Sequence, residues 1–163
     1  MQYRNGKRAA IYGLASAAWI GLLFFFSGQS GRASGALSEK LTRWLFGRWI
    51  EQGADAVLLE HLLRKAAHVG VFAVEGFLLG LALMHCLRRR TAFLIGTLGC
   101  GALAVANELH QSLSDGRTCS VGDVFIDTAG AVLGLILAAA VLHAFSSRRF
   151  RKKINSCTTG DGI

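Results

Sequence analysis

The chain has 163 residues, of which 52% are hydrophobic and only 17% charged, with a mean hydropathy of +0.42 and a formal net charge of +8. About 25% charge is usual for a soluble domain, so this balance argues against an ordinary water-soluble globule, and the length allows one domain. The basic excess does not point to nucleic acid either, because no basic residue sits beside a stacking aromatic platform in a soluble stretch.

Apolar residues collect in four blocks, 9–26, 66–86, 92–106 and 124–145. Each approaches the roughly 20 residues a helix needs to cross the hydrocarbon core. The third does so only by taking in residues 107–113. Four transmembrane helices are predicted. The first block has a basic start and small residues after it, but its apolar run exceeds the 7–15 residues of a secretory signal, so it reads as a retained anchor. Gly13, Ala17 and Gly21 recur on it at four-residue spacing, which lets helices approach closely in lipid.

The turn formers of FSGQSGRASG (26–35) end that helix. Over 36–50, Leu37, Leu41, Trp44, Leu45 and Trp49 recur at helical spacing, with Glu39, Lys40, Arg43 and Arg48 on the other face. Two arrangements fit this amphipathic pattern: a helix lying in the outer interface with tryptophan at headgroup depth, or a helix packed across the mouth of the bundle.

Helix two carries Arg64, His68 and Glu75 on one face, with Glu75 about 10 Å deeper than His68 by the helical rise. A carboxylate at that depth is expected to face the bundle interior or a wet cavity. Helix three, from about Thr91, brings Gly96, Cys100, Asn107 and Gln111 into a stripe with His110 nearly in line, and Glu108 within reach of Gln111. Asp115-Gly116 reads as a turn corner. Helix four starts near Val121, with Asp123 and Asp127 one turn apart and Gly130 and Gly134 near the same face.

Charge sets the orientation. Arg4, Lys7 and Arg8 precede the first block, Arg88, Arg89 and Arg90 separate the second from the third, and Arg148, Arg149, Arg151, Lys152 and Lys153 follow the fourth. In a four-pass chain these lie on one side, so the positive-inside rule puts both termini in the cytoplasm. Glu39, Glu51, Asp55, Glu60 and Asp115 fall in the opposite loops. The expected fold is all-α: a four-transmembrane-helix bundle over 1–147 with a short interfacial amphipathic helix between helices one and two, followed by a basic cytoplasmic tail over 148–163, read as disordered. Cys86, Cys100, Cys119 and Cys157 have neither disulfide nor metal-clip spacing and read as incidental thiols.

The polar residues gather at the outer ends of helices two to four: Arg64, Lys65, His68, Asn107, Glu108, His110, Gln111, Arg117, Asp123 and Asp127. They predict an outward-facing polar pocket. Arg64, Lys65 and Arg117 suit an anionic group such as a lipid phosphate or a peptide carboxylate. Asp123 and Asp127 either face a ligand or pair with Arg64, Lys65 or Arg117. No metal and no cofactor are expected: there is no H-x-x-x-H spacing, no Gly-rich phosphate motif, and Glu108 and His110 diverge by about 160° on one helix. Three function classes follow: a binding or resistance protein, an integral-membrane enzyme acting on a lipid-linked envelope precursor with His68 and Glu108 as proton-transfer candidates, or a scaffold without a site.

In order and spacing, RKAAH (64–68), NELHQ (107–111), Gly116-Arg117, Asp123, Asp127 and GAVLG (130–134) resemble the VanZ-like family of small bacterial membrane proteins, and FSGQSG with Ser34 and Ser38 is similar to its first outer loop. The resemblance runs over roughly residues 24–137. Relatives carry an acidic residue and a tyrosine soon after the histidine, where this chain has Val71 and Phe72, and a proline before the Gly-Arg, where it has Asp115. The resemblance implies a multi-pass protein of the bacterial cytoplasmic membrane whose partners are membrane lipid and a lipid-linked or peptide ligand at the outer face. It also implies a role of the founding member's kind, which is resistance to the glycopeptide teicoplanin.

Overall fold

The computed structural model describes residues 5–158, with side chains described through Ser147. Five helices follow one another: α1 (Gly6–Ser27), α2 (Gly31–Glu51), α3 (Ala56–Cys86), α4 (Arg89–Ser112) and α5 (Val121–Thr158). All but α2 are long and apolar enough to cross a membrane, so the chain is an all-helical, multi-pass membrane protein. Helix α5 continues to Thr158, so the basic stretch begins on helical backbone. Arg4, and the side chains of Cys157 and of the basic residues from Arg148 to Lys153, lie outside the described residues.

The helix starts are written in short polar side chains. Asn5 Oδ1 accepts from Arg8 N, Ser30 Oγ from Ala33 N, and Asp55 Oδ1 from both Val57 N and Leu58 N. Each satisfies backbone donors that the first helical turn leaves open. Ser120 does the same for α5, its Oγ accepting from Asp123 N.

Helices α3 and α5 form the tightest seam, running parallel. A Cβ on Gly76 would overlap the Ala131 carbonyl, one on Gly134 the Ala73 carbonyl, and one on Gly130 would lie 2.5 Å from Val69 O. Backbones this close are possible only without side chains. The stripe on α1 behaves otherwise. Gly13 and Gly21 meet nothing within 4 Å, and α1 turns Ser16, Leu23 and Ser27 inward instead. The expectation that Gly13, Ala17 and Gly21 form a packing face is therefore corrected. Four-residue spacing finds one face of a helix but does not say which side the rest of the bundle occupies.

Large apolar side chains cover the outside of the four spans, among them Leu14, Phe25, Leu98, Val105, Leu133 and Phe145, each more than half exposed except Val105 at 46%. A surface of this kind requires an apolar solvent. The helix between the first two spans is longer than the sequence pattern suggests, beginning at Gly31 rather than at Ala36. It packs against α3 through one side, where Thr42 is buried, and leaves Trp44 and Trp49 largely exposed.

Candidate functional site

The end of the bundle away from the chain termini is where α1 and α4 finish and α3 and α5 begin. Residues 113–120, between α4 and α5, are tied there to the α1–α2 junction. Gly31 N donates to Asp115 O (2.9 Å), Ser114 Oγ to Gly28 O (3.2 Å) and Arg117 Nη1 to Ser27 O (3.1 Å). Two glycines permit this docking. Gly116 adopts φ +75°, a left-handed conformation that suits the turn, and a Cβ on Gly31 would lie 2.6 Å from Gly116 O.

Between this strap, α1, α2 and α3 lies a cavity of about 650 Å³. Its polar lining includes Arg64, Lys65, His68, Asn107, Gln111, Arg117 and Asp123, seven of the ten residues that the sequence singles out. The rest of its wall is apolar, with Trp19, Leu23 and Phe26 from α1, Leu37 and Leu41 from α2, and Val71 and Phe72 from α3. Ser34, Ser38 and Ser120 also reach it. Helix α2 is thus one wall of the cavity.

The charged groups choose specific partners. Lys65 Nζ pairs with Asp123 Oδ1 across the α3–α5 seam. One turn further in, His68 Nδ1 lies 2.9 Å from Asp127 Oδ1. A carboxylate only accepts, so the ring donates from Nδ1 and keeps Nε2 for another partner. Arg64 Nη2 turns back along its own helix to Glu60 Oε1 (3.0 Å). Of the pairings open to the two aspartates, Lys65 takes one and His68 the other, while Arg64 and Arg117 take neither. Arg117 is half-buried in the strap, and burial together with the neighbouring Arg64 guanidinium pushes its pKa down against the opposing pull of Glu108. Arg64 and Arg117 therefore both line the cavity, Arg64 paired with Glu60 along its own helix and Arg117 held by a backbone carbonyl rather than by a carboxylate.

Glu108 and Asp127 stand behind the cavity wall, 1% and 0% exposed. Glu108 Oε2 accepts from Ser120 N (2.8 Å), which fixes the end of α4 to the start of α5. It does not turn toward Gln111, as the three-residue spacing allows. His110 does not line the cavity: its ring meets Phe24 edge-on at 5.3 Å, and its Cε1 lies against Gly28. Near-alignment with Asn107 on the helical wheel leaves a margin of about 60°, enough to put the two side chains on different neighbours. Deeper in the bundle Glu75 is fully buried and accepts from Ser16 Oγ at 2.6 Å.

Sequence reasoning missed Ser120, whose backbone N–H holds Glu108, and the apolar wall of the cavity. Ser120 could have been found as the N-cap before Val121. Trp19, Leu23 and Phe26 share a helical face, but nothing in the sequence separates a cavity face from a lipid face. Helix α3 hints at the purpose of the tryptophan, because Trp19 Nε1 donates to Val71 O at 3.0 Å.

A family model described as VanZ/LLP1 matches residues 12–143, a stretch that contains the whole cavity and every residue around it. No curated protein and no solved structure matches the chain.

Proposed function

The chain belongs to the VanZ/LLP1 family, and from that premise we propose that it binds an anionic, lipid-linked ligand of the cell envelope in the cavity at the outer face of the cytoplasmic membrane. The observation that carries this reading is the mixed lining: the cations Arg64, Lys65 and Arg117 border the same cavity as the apolar Trp19, Leu23, Phe26 and Phe72. An amphiphile with an anionic head and an apolar chain complements both. Guanidinium groups hold phosphate and carboxylate through paired donors, and an anion between Arg64 and Arg117 relieves their mutual repulsion. Asn107 Oδ1 and Ser27 Oγ are buried beside the cavity without a hydrogen-bond partner among the described residues, which suits a ligand carrying donors.

The basic clusters at 4–8, 88–90 and 148–153 support an orientation with both termini inside the cell, so that the cavity opens outward and α2 lies in the outer interface with Trp44 and Trp49 at headgroup depth. A protein that holds an envelope precursor there contributes to glycopeptide resistance of the teicoplanin type by competing for, or sequestering, the same surface.

The test uses the full chain purified in detergent, titrated with polyprenyl phosphate, phosphatidylglycerol and uncharged polyprenol and read by native mass spectrometry. Binding of a phosphate-bearing lipid over the prenol is expected. Arg117→Gln should weaken it about tenfold or more, since a charge-assisted hydrogen bond is worth about 1.5–3 kcal/mol. Equal binding of charged and uncharged lipids, or no loss in the variant, overturns the reading. On expression in a susceptible host, the wild type should raise the teicoplanin concentration tolerated and Arg117→Gln should not.

One observation favours a second reading, that of an enzyme on the same kind of ligand: the His68–Asp127 contact, with Glu108 behind it, borders the cavity. A histidine oriented by a carboxylate is suited to proton transfer. Glu108→Gln would then abolish turnover while binding persists.

A further inference from the structure

His68 from α3, Glu108 from α4 and Asp127 from α5 each bring one ligand-type atom within 4.8 Å of the other two. The two carboxylates are among the most buried side chains of the protein, and each keeps one oxygen, Glu108 Oε1 and Asp127 Oδ2, with no hydrogen-bond partner among the described residues. A buried carboxylate oxygen without a partner is costly, and two carboxylates this close repel. The cations nearby are engaged with other partners and make no hydrogen bond to the two free oxygens. Lys65 is paired with Asp123, Arg64 with Glu60, and Arg117 donates to the Ser27 carbonyl. Among the described residues, the His68 imidazole is the one that faces the pair directly. The site therefore has the composition to accept one small positive charge.

We propose that His68, Glu108 and Asp127 bind one divalent first-row metal ion of the Zn²⁺ or Mn²⁺ class. One imidazole and two carboxylates form a mixed nitrogen–oxygen set that both ions accept. Ligands about 2.0–2.2 Å from a shared ion stand about 3–3.5 Å apart, a range that lies between the 2.9 Å of the His68–Asp127 contact and the 4.8 Å within which all three groups fall. Asp127 would exchange its hydrogen bond from His68 for the metal, and Ser120 N would keep Glu108 oriented through its other oxygen. His68 also lines the cavity, which supplies an entry path and leaves the remaining coordination positions accessible from that side. The expectation of no metal weighed Glu108 and His110 on one helix. The structure assembles its trio from three helices, with His110 facing Phe24. The proposal stands independently of whether an anionic lipid occupies the cavity.

The experiment strips the full chain with EDTA in detergent, then titrates Zn²⁺ by calorimetry and Mn²⁺ by electron paramagnetic resonance. One ion per chain is expected, with a rise in Tm of roughly 5–10 °C at a hundredfold excess over Kd, because the ion joins three spans. Glu108→Gln and Asp127→Asn should each weaken binding by more than about 100-fold, as even an outer partner of a metal ligand contributes 10–100-fold. His143→Ala, which removes an exposed imidazole elsewhere on α5, should bind as wild type does. X-ray absorption at the zinc edge reads the ligand set on the wild type alone, so a variant that misfolds does not spoil the test. A nitrogen–oxygen shell with imidazole scattering supports the site. A sulfur shell, a wild type that takes up neither ion, or folded variants that bind undiminished overturns it.

Discussion

The two halves of the α3–α5 seam solve opposite problems with the same pair of helices. At the cavity end, long charged side chains bridge the helices, Lys65 to Asp123 and His68 to Asp127, at sequence separations of 58 and 59. Further along, side chains all but vanish, and Gly76, Gly130 and Gly134 bring backbone against backbone. The glycine half fixes the distance between the helices, and that distance sets the acidic residues of α5 within reach of the basic ones of α3. Close packing of this kind tolerates almost no change, whereas a charged pair beside a cavity can exchange partners with water or a ligand. The cavity half can therefore exchange partners because the glycine half holds the helices together.

Three substitutions test that division, taken from the strongest effect down. Gly134→Ala drives a Cβ into the Ala73 carbonyl, and backbone cannot move aside as a side chain can. Overpacking of this kind costs about 3 kcal/mol at the upper end of its usual range, or a fall in Tm of roughly 6–12 °C for a chain this size. Thermal unfolding in detergent measures it, and an unchanged Tm would refute the glycine half of the comparison. Lys65→Met removes the outer ion pair, in which both partners keep some exposure. Its expected cost is about 1 kcal/mol, read as a Tm shift of roughly 2–4 °C. A larger loss would mean that the outer half is structural after all. Gly13→Ala is the control. With nothing within 4 Å to meet the new methyl, Tm should stay level or rise slightly, because alanine is the better helix former by up to about 1 kcal/mol.

The spans were legible in the sequence because lipid demands long apolar runs, but the start of α3 was not, since its first turns after the Asp55 cap carry Glu60, Arg64 and Lys65 and lie outside the apolar block. The outer cluster was legible for a related reason: ionisable groups inside a membrane segment have to find one another. The choice of partners was not legible. Whether Lys65 or Arg64 meets Asp123 depends on the offset between two helices, which the distant glycines set. The same limit hid the positions of Glu108 and His110. Neighbours at 100° intervals share a span but not a side of the bundle, so one turned toward α5 and the other toward Phe24. Nor could hydropathy separate the apolar face of α1 that lines the cavity from the one that meets lipid, since both carry the same residue types.

The strap of residues 113–120 has a bearing on biogenesis. It joins the third span to the fourth, yet it fastens to the junction between the first and second helices through Gly28, Ser27 and Gly31. The ribosome delivers the chain from its N-terminus, so Lys65 and His68 enter the bilayer before the two aspartates that answer them, and Glu108 before the Ser120 N–H that holds it. Until Val121 and the residues after it arrive, the nascent protein holds its cationic and acidic groups uncompensated. Insertion of the last helix is then the event that gives Lys65 and His68 their carboxylates and completes the wall of the chamber at Asp123.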